Sequence, residues 1–236
     1  MSAEEREGIM LKIPKWEAQL WSYVGSGDGM RCPFYGHCQV RKRGGWCPDE
    51  NKERINQLLD EKQFNFHSYD FIESEAKGLC KLCQLVETLA QRCLNTGGVR
   101  CPPVPAGLVT LFDLQHTVEV RQLPLKVYHG AIWHQKDGWV IQLKNGDTSA
   151  TKRFTLFHEA FHIIAHCRAS PVFRKRGSIV GSFNELLADY FALCTLMPRE
   201  WVAEKWAELK DLDRMAEIFA VPKSAMCIKL RQLGLI

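Results

Sequence analysis

No stretch of this sequence approaches the ~18–20 uncharged apolar residues that a bilayer-spanning helix needs. The start, MSAEEREGIMLK, is acidic first and lacks the apolar core of an export signal, which sets the expectation of a cytoplasmic protein. Charge of one sign is scarce as well. A formal net charge of +4 is too mild to imply nucleic-acid binding unless the basic residues cluster. Ten cysteines in 236 residues fall well short of a small disulfide scaffold, and in a reducing compartment they are expected as thiols or metal ligands. There is no internal repeat and no low-complexity tract. A membrane protein and a disulfide-held secreted module are both excluded on these grounds. What is present, 46% hydrophobic and 25% charged residues, is ordinary globular composition for one or two domains with a real core.

Three stretches differ in texture. Residues 1–75 are polar, rich in turns and clustered cysteines, with one helix predicted near Asn51–Lys62. Residues 76–200 have the pattern of an α+β domain. Leu79–Leu94 is an amphipathic helix stopped by Gly97-Gly98, and a short helix follows at Ala106–Leu114. Strands are predicted at Thr117–Leu123, Ala131–Gln135 and Trp139–Lys144, the last two joined by a hairpin at Lys136-Asp137-Gly138. Two helices then run from Thr148 to Cys167 and from Phe183 to Leu196. Residues 201–236 form a helical extension.

One segment carries recognisable chemistry: His158-Glu159-Ala160-Phe161-His162, inside a run without Pro or Gly. On a helix, histidines at i and i+4 share a face one turn apart, so both imidazoles can reach one zinc ion. Glu159 between them is placed as the base that takes a proton from the attacking water. The alternative is an amphipathic helix whose histidines face solvent or form core hydrogen bonds. A catalytic zinc needs a third protein ligand, and Glu185 on the next helix supplies one. Asp189, one turn further, can accept a hydrogen bond from a ligand histidine and fix its tautomer, or it is a solvated helix charge. His166 is one turn beyond a site already held by two histidines and reads as structural. His134 and Tyr190 are available as transition-state donors, but nothing in the sequence selects either.

The run Arg153-Phe-Thr-Leu-Phe-His-Glu-Ala-Phe-His-Ile-Ile-Ala-His166 resembles the signature helix of the ImmA/IrrE metallopeptidase family. Glu185-Leu-Leu-Ala-Asp-Tyr-Phe-Ala192, continuing to Leu196-Met-Pro198, is similar to that family's second helix, and the resemblance extends over about residues 76–236. It implies a zincin-like fold with a small antiparallel sheet against two zinc helices. It also implies a cytosolic zinc endopeptidase with His158, His162 and Glu185 as ligands and Glu159 as base. Members often cut helix-turn-helix repressors in stress responses, so the implied partner is a transcriptional repressor. Phe161 stands where the family usually has Gly, and Asp189 where it often has Asn.

The tail from Leu212 turns at Val221-Pro222 in helix–turn–helix fashion. Lys223, Lys229 and Arg231 give only a thin basic face, so direct DNA binding is not expected and packing against the peptidase domain is. Cys32, Cys38 and Cys47, with Cys80 and Cys83 as a CxxC, leave two readings open: a second metal or iron–sulfur site, or buried and reactive thiols. Trp139–Lys144, directly before the zinc helix, is expected to be an open sheet edge to which an extended substrate adds as a strand. Two functions remain open on the residues alone: a zinc endopeptidase, or a zinc-containing sensor module with little turnover.

Overall fold

The computed structural model describes residues 18, 20, 21, 81–126, 128–168 and 179–236. The predicted helix at 51–62 and the cysteines at 32, 38, 47 and 80 lie outside the described residues. Helix α1 (Lys81–Thr96) buries Leu82, Leu85, Val86, Leu89, Ala90 and Leu94, the spacing of one helical face. It ends as the paired glycines suggest. Gly98 takes a left-handed φ of 66°, and the N–H groups of Gly97 and Val99 close on the carbonyls of Cys93 and Leu94. A 3-10 turn follows at Ala106–Leu111.

Three strands then form one sheet: β1 (Thr117–Leu123), β2 (Gly130–Gln135) and β3 (Gly138–Lys144). Their order is β1-β3-β2, with β1 parallel to β3 and β2 antiparallel to it. The sheet is therefore mixed rather than purely antiparallel. The expectation that Trp139–Lys144 is an open edge is overturned: it is the central strand, paired on both sides, and the edges are β1 and β2. Trp139, Val140 and Ile141 are buried in succession, as suits a strand covered on both faces. At the hairpin, Gly138 has φ 154°, and a Cβ there would lie 2.4 Å from the Thr117 carbonyl oxygen, so the close approach of β1 requires glycine.

Helix α2 (Ser149–Arg168) starts where Thr148 Oγ1 accepts the Thr151 N–H at 3.1 Å. His129 Nδ1 lies 2.7 Å from Asp147 Oδ2, tying the entry of β2 to the turn before α2. Helix α3 (Ile179–Leu196) is buried almost all round from Leu187 onward, which places it inside the molecule between α1 and α2. Leu20 and Trp21 belong to the same core. The Trp21 ring stands 6.0 Å from Phe161 of α2, and Phe161 stands 5.5 Å from Phe191 of α3.

Helices α4 (Arg199–Leu209), α5 (Leu212–Phe219) and α6 (Lys223–Gln232) complete the chain. The predicted helix–turn–helix outline is present, with Asp211 capping α5 and Ala220 closing it in the left-handed region. Its second helix turns Ala225, Met226, Lys229 and Leu230 inward. Lys229 is only 1% exposed, and its Nζ donates to Cys194 Sγ at 3.9 Å. Burial pushes that thiol up to about 11, so it meets the lysine protonated. Lys223 is engaged by Asp213 at 2.5 Å. The thin basic face thus loses one of its three members to the core. Cys83, Cys93, Cys101, Cys194 and Cys227 are thiols rather than disulfides, with Cys83 packed in the core. No helix among the described residues is long and apolar enough to cross a membrane.

Candidate metal centre

The helical period of α2 sets His158 and His162 side by side, with ring centroids 5.2 Å apart. Both are nearly buried, at 7% and 4% exposure. Helix α3 crosses this face and delivers Glu185 between them. Its Oε2 is 3.3 Å from His158 Nε2, and its Oε1 is 3.3 Å from His162 Nε2. The three donor atoms lie within 4.8 Å of one another. Two imidazole nitrogens and one carboxylate oxygen converging on a point form the donor set of a zinc site with an open position. The residues present fit such an ion.

Asp189 is where one helical turn beyond Glu185 should put it. Its Oδ1 is 2.6 Å from His158 Nδ1. A carboxylate can only accept, so His158 carries its proton at Nδ1 and aims Nε2 at the centre. Without a metal, the same carboxylates favour the charged ring. Burial works against the charged form of His158, but the Asp189 charge and hydrogen bond, with Glu185, outweigh it and hold the imidazole well above its ordinary value. Lost hydration would raise Glu185, yet hydrogen bonds from His158 and His162 and their charges hold it well below the usual carboxylate range.

Glu159, 6% exposed, leaves α2 toward β2. The strand starts there with Gly130, where a Cβ would lie 2.8 Å from Glu159 Oε1 and 2.4 Å from Thr155 Cγ2. Glycine at this point lets the sheet edge approach the carboxylate, a relation the sequence does not reveal because the two residues are 29 positions apart. The structure commits the Tyr190 hydroxyl elsewhere. Tyr190 is 1% exposed, and its hydroxyl donates to Glu87 Oε1 of α1 at 3.0 Å. Burial first, then nearby Cys194, Cys83 and Glu87, raise its pKa well above the ordinary phenol value. His134 lies against Trp139, with centroids 4.4 Å apart, four residues along β2 from Gly130. The side chain of His166 lies outside the described residues.

No curated protein matches this chain. Among solved structures, a transcriptional regulator of Mycobacterium tuberculosis is similar, with a TM-score of 0.49 and 16% sequence identity. The match covers 61% of this chain and 46% of that one, so it spans less than half of the regulator. The model of the IrrE N-terminal-like domain, the M78 peptidase family, matches residues 114–231, which is 118 of 236 positions. That span holds the sheet, α2 and α3 with His158, Glu159, His162, Glu185 and Asp189, and most of the helical tail, but not α1. On this match, and on a mixed α+β fold that sets the two signature helices face to face, the chain belongs to the IrrE N-terminal-like, M78 peptidase family.

Proposed function

We propose that the protein is a zinc-dependent endopeptidase that hydrolyses a peptide bond in a specific protein. The observation that carries this reading is the convergence of His158, His162 and Glu185 donors within 4.8 Å, with the buried Glu159 carboxylate one residue from the first ligand. A zinc ion held by these three residues would polarise a scissile carbonyl and acidify a water at neutral pH. The chain's own groups do the rest. Asp189 keeps the His158 ring oriented. Glu159 takes the proton of the attacking water and passes it to the leaving amine, in a position shielded from bulk solvent.

Among the described residues no strand pairs with the outer edge of β2, and this edge is the substrate cradle in this reading. The Lys144 N–H donates to the His129 carbonyl at 2.9 Å, so hydrogen-bonded pairs alternate from that position along the β2–β3 ladder. Gly130, Ile132 and His134 then turn their backbone groups outward, and Gly130 is the residue beside Glu159. An extended chain pairing with this edge would have its backbone oriented past the centre before any bond is broken. A helix-turn-helix repressor as the substrate is supported by the family alone.

The test is Glu159→Gln. Turnover of an unstructured protein substrate should fall by at least ~10²-fold, the scale of a lost general base, while one zinc per chain is retained. His158→Ala with His162→Ala should lose that zinc. Turnover unchanged by Glu159→Gln would remove Glu159 as the base, and no turnover by the zinc-loaded wild type would leave the sensor function in place of the enzyme.

A further inference from the structure

Among the described residues, Trp133 is the largest exposed apolar side chain, at 56%. It stands in the middle of β2, the strand that begins at Gly130 beside Glu159. Exposure alone assigns nothing to a single side chain. Its register in the sheet does. Side chains alternate between the faces of a strand, and Gly130 faces α2, where a Cβ would meet Thr155 and Glu159. Ile132 and His134 share that face, so Ala131, Trp133 and Gln135 take the opposite one. Hydrogen-bonded pairs alternate from His129 and Lys144, which makes Trp133 and Val140 such a pair. Trp133 therefore gives its backbone groups to β3, while Ile132 and His134 on either side present theirs at the outer edge.

A chain added antiparallel to this edge would hydrogen-bond to Ile132 and His134, with the residue between them opposite Trp133. That is the non-hydrogen-bonded position, where Cα atoms are about 4.5 Å apart and side chains come closest. Ala131 offers only a methyl group to this face and Gln135 an exposed amide, so Trp133 is the large apolar surface along it. Val140, buried at 4% exposure, lies on its other side, and an apolar partner would complete a row of three across the sheet. Among the described residues no hydrogen bond or ring contact engages the Trp133 side chain. We propose that Trp133 selects the substrate by packing against an aromatic or large aliphatic side chain three residues N-terminal to the substrate residue opposite Gly130. This inference rests on the reading of β2 as the cradle of an endopeptidase. In an antiparallel pair the partner's numbering falls as that of β2 rises, and Trp133 follows Gly130 by three residues. The selected side chain is thus upstream of the bond carried past Glu159, about 10 Å along the strand.

The experiment presents the zinc-loaded full chain with a synthetic library of unstructured peptides and reads the cut sites by mass spectrometry. Wild type should favour Phe, Tyr, Trp, Leu or Met over Ala at one fixed position upstream of the cut bond, by about 3–10-fold, the scale of a cross-strand apolar pair. Trp133→Ala should level that preference, Trp133→Phe should keep it, and all should carry equal zinc. Trp133→Thr, suited to a strand, replaces Trp133→Ala if that protein unfolds. Peptides retained by zinc-loaded Glu159→Gln should be enriched in the same residues, and adding Trp133→Ala should remove the enrichment. A preference that is absent from wild type, survives Trp133→Ala or falls only downstream of the cut bond overturns the proposal, as does selection of Lys or Arg. Failure of the cradle itself looks different, because Ile132→Pro would then cut the whole library at full strength. If wild type cuts no peptide, the endopeptidase reading fails, and equal enrichment on the Glu159→Gln proteins with and without Trp133 would overturn the role of the indole as well.

Discussion

Gly130→Ala is the sharpest test of how the sheet edge and the centre fit together. The added methyl would sit 2.4 Å from Thr155 Cγ2, 2.8 Å from Glu159 Oε1 and 3.3 Å from Glu159 Cγ. Carbon contacts settle at about 3.5–4.0 Å, so the strand or the two side chains must give way by roughly 1 Å. Overpacking of this kind costs about 1–3 kcal/mol, which lowers Tm by roughly 2–12 °C in a chain of this size. A 1 Å displacement of the base costs about 10²-fold in turnover. The two consequences can be separated. Thr155→Ser removes Cγ2, so the double variant should recover stability, with a coupling of about 0.5–2 kcal/mol. Its turnover should stay low, because the Glu159 contact persists. The assay pairs thermal unfolding with cleavage of an unstructured protein and a zinc count, which should remain at the wild-type level. Wild-type Tm and turnover in Gly130→Ala would refute the packing of β2 against Glu159.

Asp189→Asn should reduce zinc affinity by about 10–100-fold, measured by competition with a chromophoric chelator; unchanged affinity would refute its role in orienting His158. In metal-free protein the raised pKa of His158 contributes stability that is complete below 6.5 and is lost as pH rises through its folded value. The lowered pKa of Glu185 contributes stability present above 4.5 and lost as pH falls through its folded value. Urea unfolding in the presence of a chelator should therefore show these contributions together between about pH 4.5 and 6.5, with a decline on either side. Stability that climbs steadily from pH 6.5 to 9 would contradict the assignment. Ile132→Pro removes an outward N–H from the β2 edge and should cut turnover at least ~10-fold with fold and zinc retained, whereas Val140→Pro breaks the central strand and should unfold the protein. Full turnover by folded Ile132→Pro would place the substrate elsewhere.

What the sequence determined by itself is whatever depends on neighbours along the chain. The i, i+4 spacing of His158 and His162 fixes their common face, and Glu185 and Asp189 share a face for the same reason. Gly97-Gly98 ends α1, and Lys136-Asp137-Gly138 turns the hairpin, because backbone conformation at those positions is a local matter. The tertiary structure decided the rest. Alternation and β-branched residues mark Trp139–Lys144 as a strand but say nothing of which strands flank it. Its unbroken Trp139-Val140-Ile141 run was the available signal that it is central. Glu185 meets the histidines only because α3 packs across α2 over a separation of 23 residues from His162. Lys229 falls on a helix face that looks basic in sequence and is buried only because α6 folds onto Cys194. Gly130 against Glu159, and the Trp139 indole N–H on Asp113, join residues far apart in the chain, and burial and hydrogen-bond geometry between distant segments have no local pattern to betray them.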